Sequence, residues 1–131
     1  MNATESELST CLAATNFFSQ LGFRLVRAGE GECVLHAPFL ASSLRPGEMM
    51  AGYVLAAAAD VAAWLAIKTL LGIDDGSLTL DMHSVYLAPA RSEIECAATV
   101  TQAGRRLVHA ACADAARRAV SGHTLIYARR A

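Results

Sequence analysis

The chain has 131 residues and a mass of 13.8 kDa, with 54% apolar residues, 18% charged residues and a formal net charge of −1. That length holds one compact domain over 1–131, and the charge balance excludes a binder that neutralises nucleic-acid phosphates. High apolar content with so little charge also excludes disorder.

The most apolar stretch, residues 49–67, carries Asp60 at its middle. An aspartate at mid-bilayer costs roughly 2.5–3.5 kcal/mol on insertion scales, so the stretch reads as a buried helix and no membrane partner is expected. Met1-Asn2-Ala3-Thr4-Glu5 shows no basic segment leading into an apolar one. No secretion signal is read there, and a cytoplasmic location is expected. Cys11, Cys33, Cys96 and Cys112 lie far apart, as reduced and mostly buried thiols do. Neither they nor His36, His83, His109 and His123 have metal-site spacing, so no metal is expected.

In chain order, residues 1–21 contain a predicted N-terminal helix. Thr4 and Glu7 have capping-box spacing, and Leu8, Cys11, Leu12, Thr15 and Ser19 share one stripe. Phe17, Phe18 and Leu21 thicken its end, and Gly22 stops it. Strands are predicted over 23–28 and 32–37, joined by Gly29-Glu30-Gly31. An irregular stretch over 38–50 contains the turn sequence Arg45-Pro46-Gly47.

A central helix is predicted over 52–71, with Gly72 as its C-cap. Apart from Asp60, Lys68 and Thr69 it is apolar on every face, which is the pattern of a buried helix. After Asp74-Asp75-Gly76 the period changes to two. Leu78, Leu80, Met82 and Tyr86 point one way, and Thr79, Asp81 and His83 the other. Pro89 ends that strand, and three more follow: one from about residue 93, then 106–114 and 120–129. Ala103-Gly104-Arg105 and the Arg117-Arg118 region supply the turns.

Strands grouped around one apolar helix give an α+β architecture, a curved antiparallel sheet wrapped on that helix. The sheet covers one side of the helix, so a second subunit is expected to cover the other.

Asp60 is the residue most suggestive of chemistry. A carboxylate in an apolar helix, with Ala56, Ala57, Ala63 and Trp64 at i±3 and i±4, must be paired or used. Gly52, eight residues earlier at the helix start, offers a backbone N–H with the positive end of the helix dipole behind it. The two lie about 12 Å apart along the axis, so a carbonyl-polarising donor and a base could be combined across a dimer interface. Structural readings stand beside these: a hydrogen-bonded packing carboxylate, and a glycine that eases chain entry. Asp81, between Thr79 and His83, reads as a structural carboxylate.

Three blocks of sequence resemble the hotdog-fold thioesterases, in particular the phenylacetate-pathway branch. They are Arg45-Pro-Gly-Glu-Met-Met-Ala-Gly-Tyr-Val-Leu-Ala-Ala-Ala-Ala-Asp60, Thr79-Leu-Asp-Met-His-Ser-Val-Tyr-Leu-Ala-Pro-Ala-Arg91 and Gly104-Arg-Arg-Leu-Val-His109. The resemblance spans about residues 17–129. It implies a hotdog fold and hydrolysis of acyl-coenzyme A thioesters without metal or organic cofactor, coenzyme A being part of the substrate. It further implies a homodimer at minimum and a homotetramer by pairing of dimers. On matching positions, Gly52 would polarise the carbonyl, Asp60 would act as general base or nucleophile, and Thr79 would orient water. Where many members carry His-Gly-Gly after an Asn, this chain has Ala51-Gly52-Tyr53, with Arg45 near the place of the Asn.

Ala51, Tyr53 and His83 are read as substrate-binding, with an ordinary interface histidine as the other reading of His83. Arg91, Arg105 and Arg106 are read as contacts for coenzyme A phosphates or as solvated turn charges. Met49, Met50 and Trp64 are candidate acyl-tunnel residues, with a core role preferred for Trp64. The alternative function is a non-catalytic hotdog module that binds acyl thioesters. A hydratase is disfavoured because no histidine lies near the helix start.

Overall fold

The computed structural model describes residues 2–116 and 118–130, so Arg117 of the expected turn lies outside the described residues. The N-terminal segment forms two helices, α1 (Glu5–Ala13) and α2 (Asn16–Leu21), where one was expected. The capping box is present: Glu7 N–H donates to Thr4 Oγ1 and Thr4 N–H to Glu7 Oε1. The break falls at Ala14-Thr15, where Thr15 N–H bonds Leu12 in a tighter turn and Thr15 begins a new helix in extended conformation. Gly22 ends α2 at φ 71°, and a Cβ there would lie 2.8 Å from Pro38 Cγ.

Strands β1 (Arg24–Gly29) and β2 (Glu32–Ala37) form the expected hairpin. The irregular stretch proves to hold a short 3-10 turn, Ala41–Ser43, and a two-rung hairpin of β3 (Leu44–Arg45) and β4 (Met49–Met50). The central helix α3 spans Gly52–Leu71 as read from sequence, with Gly72 as C-cap. Lys68 Nζ secures its end by donating to the carbonyls of Ile73 and Asp75. Strands β5 (Leu78–Tyr86), β6 (Ile94–Ala103), β7 (Leu107–Ala115) and β8 (Ala119–Ala128) follow.

Six strands make one antiparallel sheet in the order β1-β2-β6-β7-β8-β5, wrapped around α3. Small residues let helix and sheet approach closely. Ala58, Ala59, Ala62, Ala63 and Ala66 have no exposed surface, and Cys112 Sγ reaches the Ala59 carbonyl at 3.3 Å. The helix is long and apolar enough to cross a membrane, yet two-thirds of its most apolar window is buried inside the chain (67%).

Two features go beyond the sequence reading. First, β5 pairs with β8, the last strand, and not with the strand that follows it, so it is an edge strand. Second, a bulge at Leu80 shifts the register between Thr79 and Asp81. One extra residue reverses the alternation beyond it. Thr79, Met82 and Ser84 therefore face the helix side, while Asp81 and His83 are exposed on the other. The shared face expected for Thr79, Asp81 and His83 is thus corrected.

Candidate active site

Asp60 is neither fully buried nor unpartnered: it lacks charged neighbours along the helix, as read from sequence, but finds hydroxyl partners on the sheet. Apart from Gly52, Leu70 and Leu71 at its ends, the part of α3 left open is a narrow stripe, Tyr53, Ala56, Ala57, Asp60 and Trp64, at helical spacing. Asp60 sits in it and is half-buried. Its Oδ1 accepts from Thr79 Oγ1 at 2.8 Å and from the Tyr127 hydroxyl at 2.5 Å. The Tyr127 hydroxyl also lies 2.8 Å from the Asp60 backbone carbonyl. Oδ2 accepts no hydrogen bond among the described residues, so one carboxylate oxygen is anchored and the other is open to a ligand or water. Burial, and then the Asp60 charge, push the Tyr127 phenol above its ordinary range, which keeps it a donor.

A cavity of about 320 Å³ opens beside this group, lined by Phe17, Phe18, Asp60, Trp64, Thr79 and Tyr127. Trp64 thus borders the cavity as well as packing against Phe18, with ring centroids 6.3 Å apart. Phe17, Phe18 and Tyr127 were not singled out from sequence as site residues. For Tyr127 a signal existed: the alternation of the last strand places it inward, and an inward tyrosine needs a hydroxyl partner.

Gly52 borders a different cavity, of about 410 Å³, with Arg45, Met49, Met50, Tyr86 and Pro89. As the first residue of α3 its N–H has no intrahelical acceptor. The Tyr86 ring packs against it, and a Cβ at position 52 would lie 3.5 Å from that ring. Ala51 is buried, and its own N–H is engaged by the Ser43 carbonyl at 2.9 Å. Tyr53 projects from the first turn, 70% exposed. Gly52 and Asp60 are therefore not brought together within one chain.

The arginines are also dispersed. Arg91 holds the β3–β4 turn through Nη1 to the Gly47 carbonyl at 2.9 Å. Arg105 and Arg106 are exposed at the β6–β7 hairpin, at the other end of β6. Ten residues of strand separate the two ends, about 30 Å, so they form no single cluster in the chain. His83 is exposed on the sheet face away from Asp60 and lines neither cavity. Among the described residues, no group of three or more His, Cys, Asp or Glu is placed to hold a metal ion.

Solved structures with the same fold share little sequence with this chain. A conserved protein, PA5202, from Pseudomonas aeruginosa superposes with a TM-score of 0.87 at 23% identity, covering 98% of this chain and 100% of its own. A mutant of the phenylacetic acid degradation protein PaaI from Thermus thermophilus gives 0.81 at 24% identity, covering 88% and 100%. The thioesterase HI1161 from Haemophilus influenzae gives 0.89 at 20% identity, covering 99% and 92%. No curated protein matches the sequence. These likenesses establish the hotdog fold. The family follows from a separate match, between residues 49–121 and the model of the thioesterase superfamily, which covers more than half of the chain, from β4 into β8. The chain belongs to the thioesterase superfamily.

Proposed function

We propose that the protein hydrolyses acyl- or arylacetyl-coenzyme A, with Asp60 as the base and the Gly52 N–H as the carbonyl-polarising donor. The observation that carries this reading is the one-sided anchoring of Asp60. Two hydroxyls fix Oδ1 and Asp60 lines the aromatic cavity, so the carboxylate is held in a set orientation with Oδ2 left for water or substrate. Oδ2 takes a proton from water, and the water oxygen attacks the thioester carbon. The resulting oxyanion is met by a backbone N–H backed by the helix dipole. The C–S bond then breaks, and the thiolate leaves with the proton. Phe17, Phe18 and Trp64 favour an apolar or aromatic acyl group. The reaction needs no metal or organic cofactor.

The reading requires a second copy of the chain, because Asp60 and Gly52 open into separate cavities. The free edge of β5 supplies the surface: Leu80 is 62% exposed, Val85 46% and Tyr86 51%. An unpaired apolar edge strand is a template for pairing with another chain. Two chains joined there bring Gly52 of one toward Asp60 of the other, and a tetramer follows if such dimers pair. Arg105 and Arg106 on one chain, with Arg91 on the other, then flank the site as phosphate contacts. Such a substrate places the protein in the cytoplasm.

A thiol-release assay with a panel of acyl-coenzyme A thioesters tests the reading. The wild type should turn over at least one, and Asp60→Asn should lower kcat by about a thousandfold or more while remaining folded. The carboxamide oxygen of that variant would still accept both hydroxyls, so little stability should be lost. Tight thioester binding without turnover by the wild type would instead identify a binding module.

A further inference from the structure

The inner face of the sheet carries a polar cluster that hydrolysis as described does not use. Asp114 on β7 is fully buried, and Ser121 and His123 on β8 are 1% and 3% exposed. Ser121 Oγ donates to Asp114 Oδ2 at 2.6 Å, and His123 Nε2 lies 2.9 Å from the same oxygen. Because that acceptor is a carboxylate, Nε2 carries a proton toward it, and Ser121 Oγ lies 2.9 Å from the same nitrogen. Nδ1 lies 2.7 Å from Ser84 Oγ, within hydrogen-bond distance. A continuous line of hydrogen bonds thus joins Ser84, His123 and Asp114.

Packing alone does not account for this cluster. A buried acid–imidazole pair is generally no more stable than apolar residues of the same volume. Asp114 Oδ1 is also buried without a partner among the described residues, a cost that a packing role leaves unexplained. The location is informative. Ser84 lies on β5 between Thr79, which holds Asp60, and Tyr86, which packs against Gly52. The Tyr86 ring meets the His123 ring edge-on, with centroids 6.1 Å apart at 82°. Among the described residues β5 is paired only with β8, so these side chains help fix how the edge strand sits.

We propose that Asp114 and His123 are positioning residues for the helix-start donor: through Ser84 and Tyr86 they fix the wall of the Gly52 cavity, and with it the place of the thioester carbonyl beneath the Gly52 N–H. The proposal rests on the thioesterase reading of Gly52. Ser84 lines neither cavity, so it positions and does not attack.

Asp114→Asn keeps the shape but replaces the carboxylate that holds Nε2 with a weaker neutral acceptor and puts its amide NH2 in the partnerless Oδ1 position. That loosens the His123 ring and with it Ser84 and Tyr86. With the best acyl-coenzyme A of the panel, kcat should fall on the order of tenfold at unchanged KM. The Gly52 amide resonance should move, with the oligomeric state and Tm still those of a folded protein. Tyr86→Leu should lose a similar factor, and the double variant no more than the larger single loss. If Asp114→Asn does not fold, Ser84→Ala on the edge strand carries the same test with the same expected loss. A kcat within about twofold of wild type and an unmoved Gly52 resonance would overturn the proposal. An acyl adduct on Ser84 during turnover would overturn it too, by making Ser84 the nucleophile. Should the wild type cleave no thioester, the thioesterase reading fails, and the Gly52 resonance in the two variants still decides the coupling.

Discussion

The Asp60 carboxylate owes its orientation to two hydroxyls on different strands, Thr79 on β5 and Tyr127 on β8. Tyr127 is the more consequential partner. Its ring is 1% exposed, and its hydroxyl lies within hydrogen-bond distance of both the Asp60 side chain and the Asp60 backbone carbonyl. Tyr127→Phe keeps the ring and removes both contacts. Stability should fall by about 1–2 kcal/mol in urea unfolding, the scale of a lost buried hydrogen bond. Oδ1 then loses one of its two anchors, and kcat should fall on the order of tenfold with KM little changed. An unchanged kcat with the stability loss would reduce Tyr127 to a structural role. Asp81 makes the opposite case. Exposed on the far face with no side-chain hydrogen bond among the described residues, it lacks the structural role its apparent neighbours Thr79 and His83 implied.

Among the elements, β5 decides most. It is the strand that sequence describes least well, because neither its partner nor its bulge is a local property. Helix α3 was legible from end to end, since an apolar run bounded by Gly52 and Gly72 is a local signal. The β1–β2 and β6–β7 hairpins were legible for the same reason, their turns lying between the paired strands. Pairing of β5 with β8 spans about 40 residues, and an inserted residue at Leu80 cannot be seen in a period-two pattern. The site divides along the same line. Asp60 stands out by its setting in the helix, and Thr79 by the resemblance, whereas Tyr127 reaches Asp60 across 67 residues. Asp114 and His123 meet only through sheet register. The exposed bulge residue gives a test at this scale. Leu80→Lys places a charge on the apolar edge, where native sheets use lysine to block pairing. Light scattering should show dissociation to monomers and the thiol-release assay a loss of turnover, with helix content by circular dichroism retained. Active oligomers at micromolar concentration would place the subunit contact elsewhere.

For the whole molecule, the small inner-face residues that let α3 sink into the sheet also bury ionisable thiols. Burial, aided by Cys112 and Glu5, pushes Cys33 from an ordinary 9.0 up to about 12. Cys96 lies well above its ordinary value through its hydrogen bond with Cys112 and then its burial. The folded state therefore holds protons that the unfolded chain releases near pH 9. These groups contribute stability that is fully present below about pH 9 and is lost as pH rises, for Cys33 across the window up to about 12. Each such thiol costs about 1.4 kcal/mol per pH unit inside its window, and Tyr127 adds to the slope once pH passes about 10. Urea unfolding under reducing conditions should give a lower stability at about pH 10.5 than at about pH 8, by several kcal/mol. Cys33→Ala should flatten that fall by its own share, about 2 kcal/mol over the same interval, whatever it costs in packing near neutrality. A slope unchanged by Cys33→Ala would mean that this thiol ionises in the folded protein as readily as in the unfolded chain, and that the sheet face against α3 admits water at Cys33.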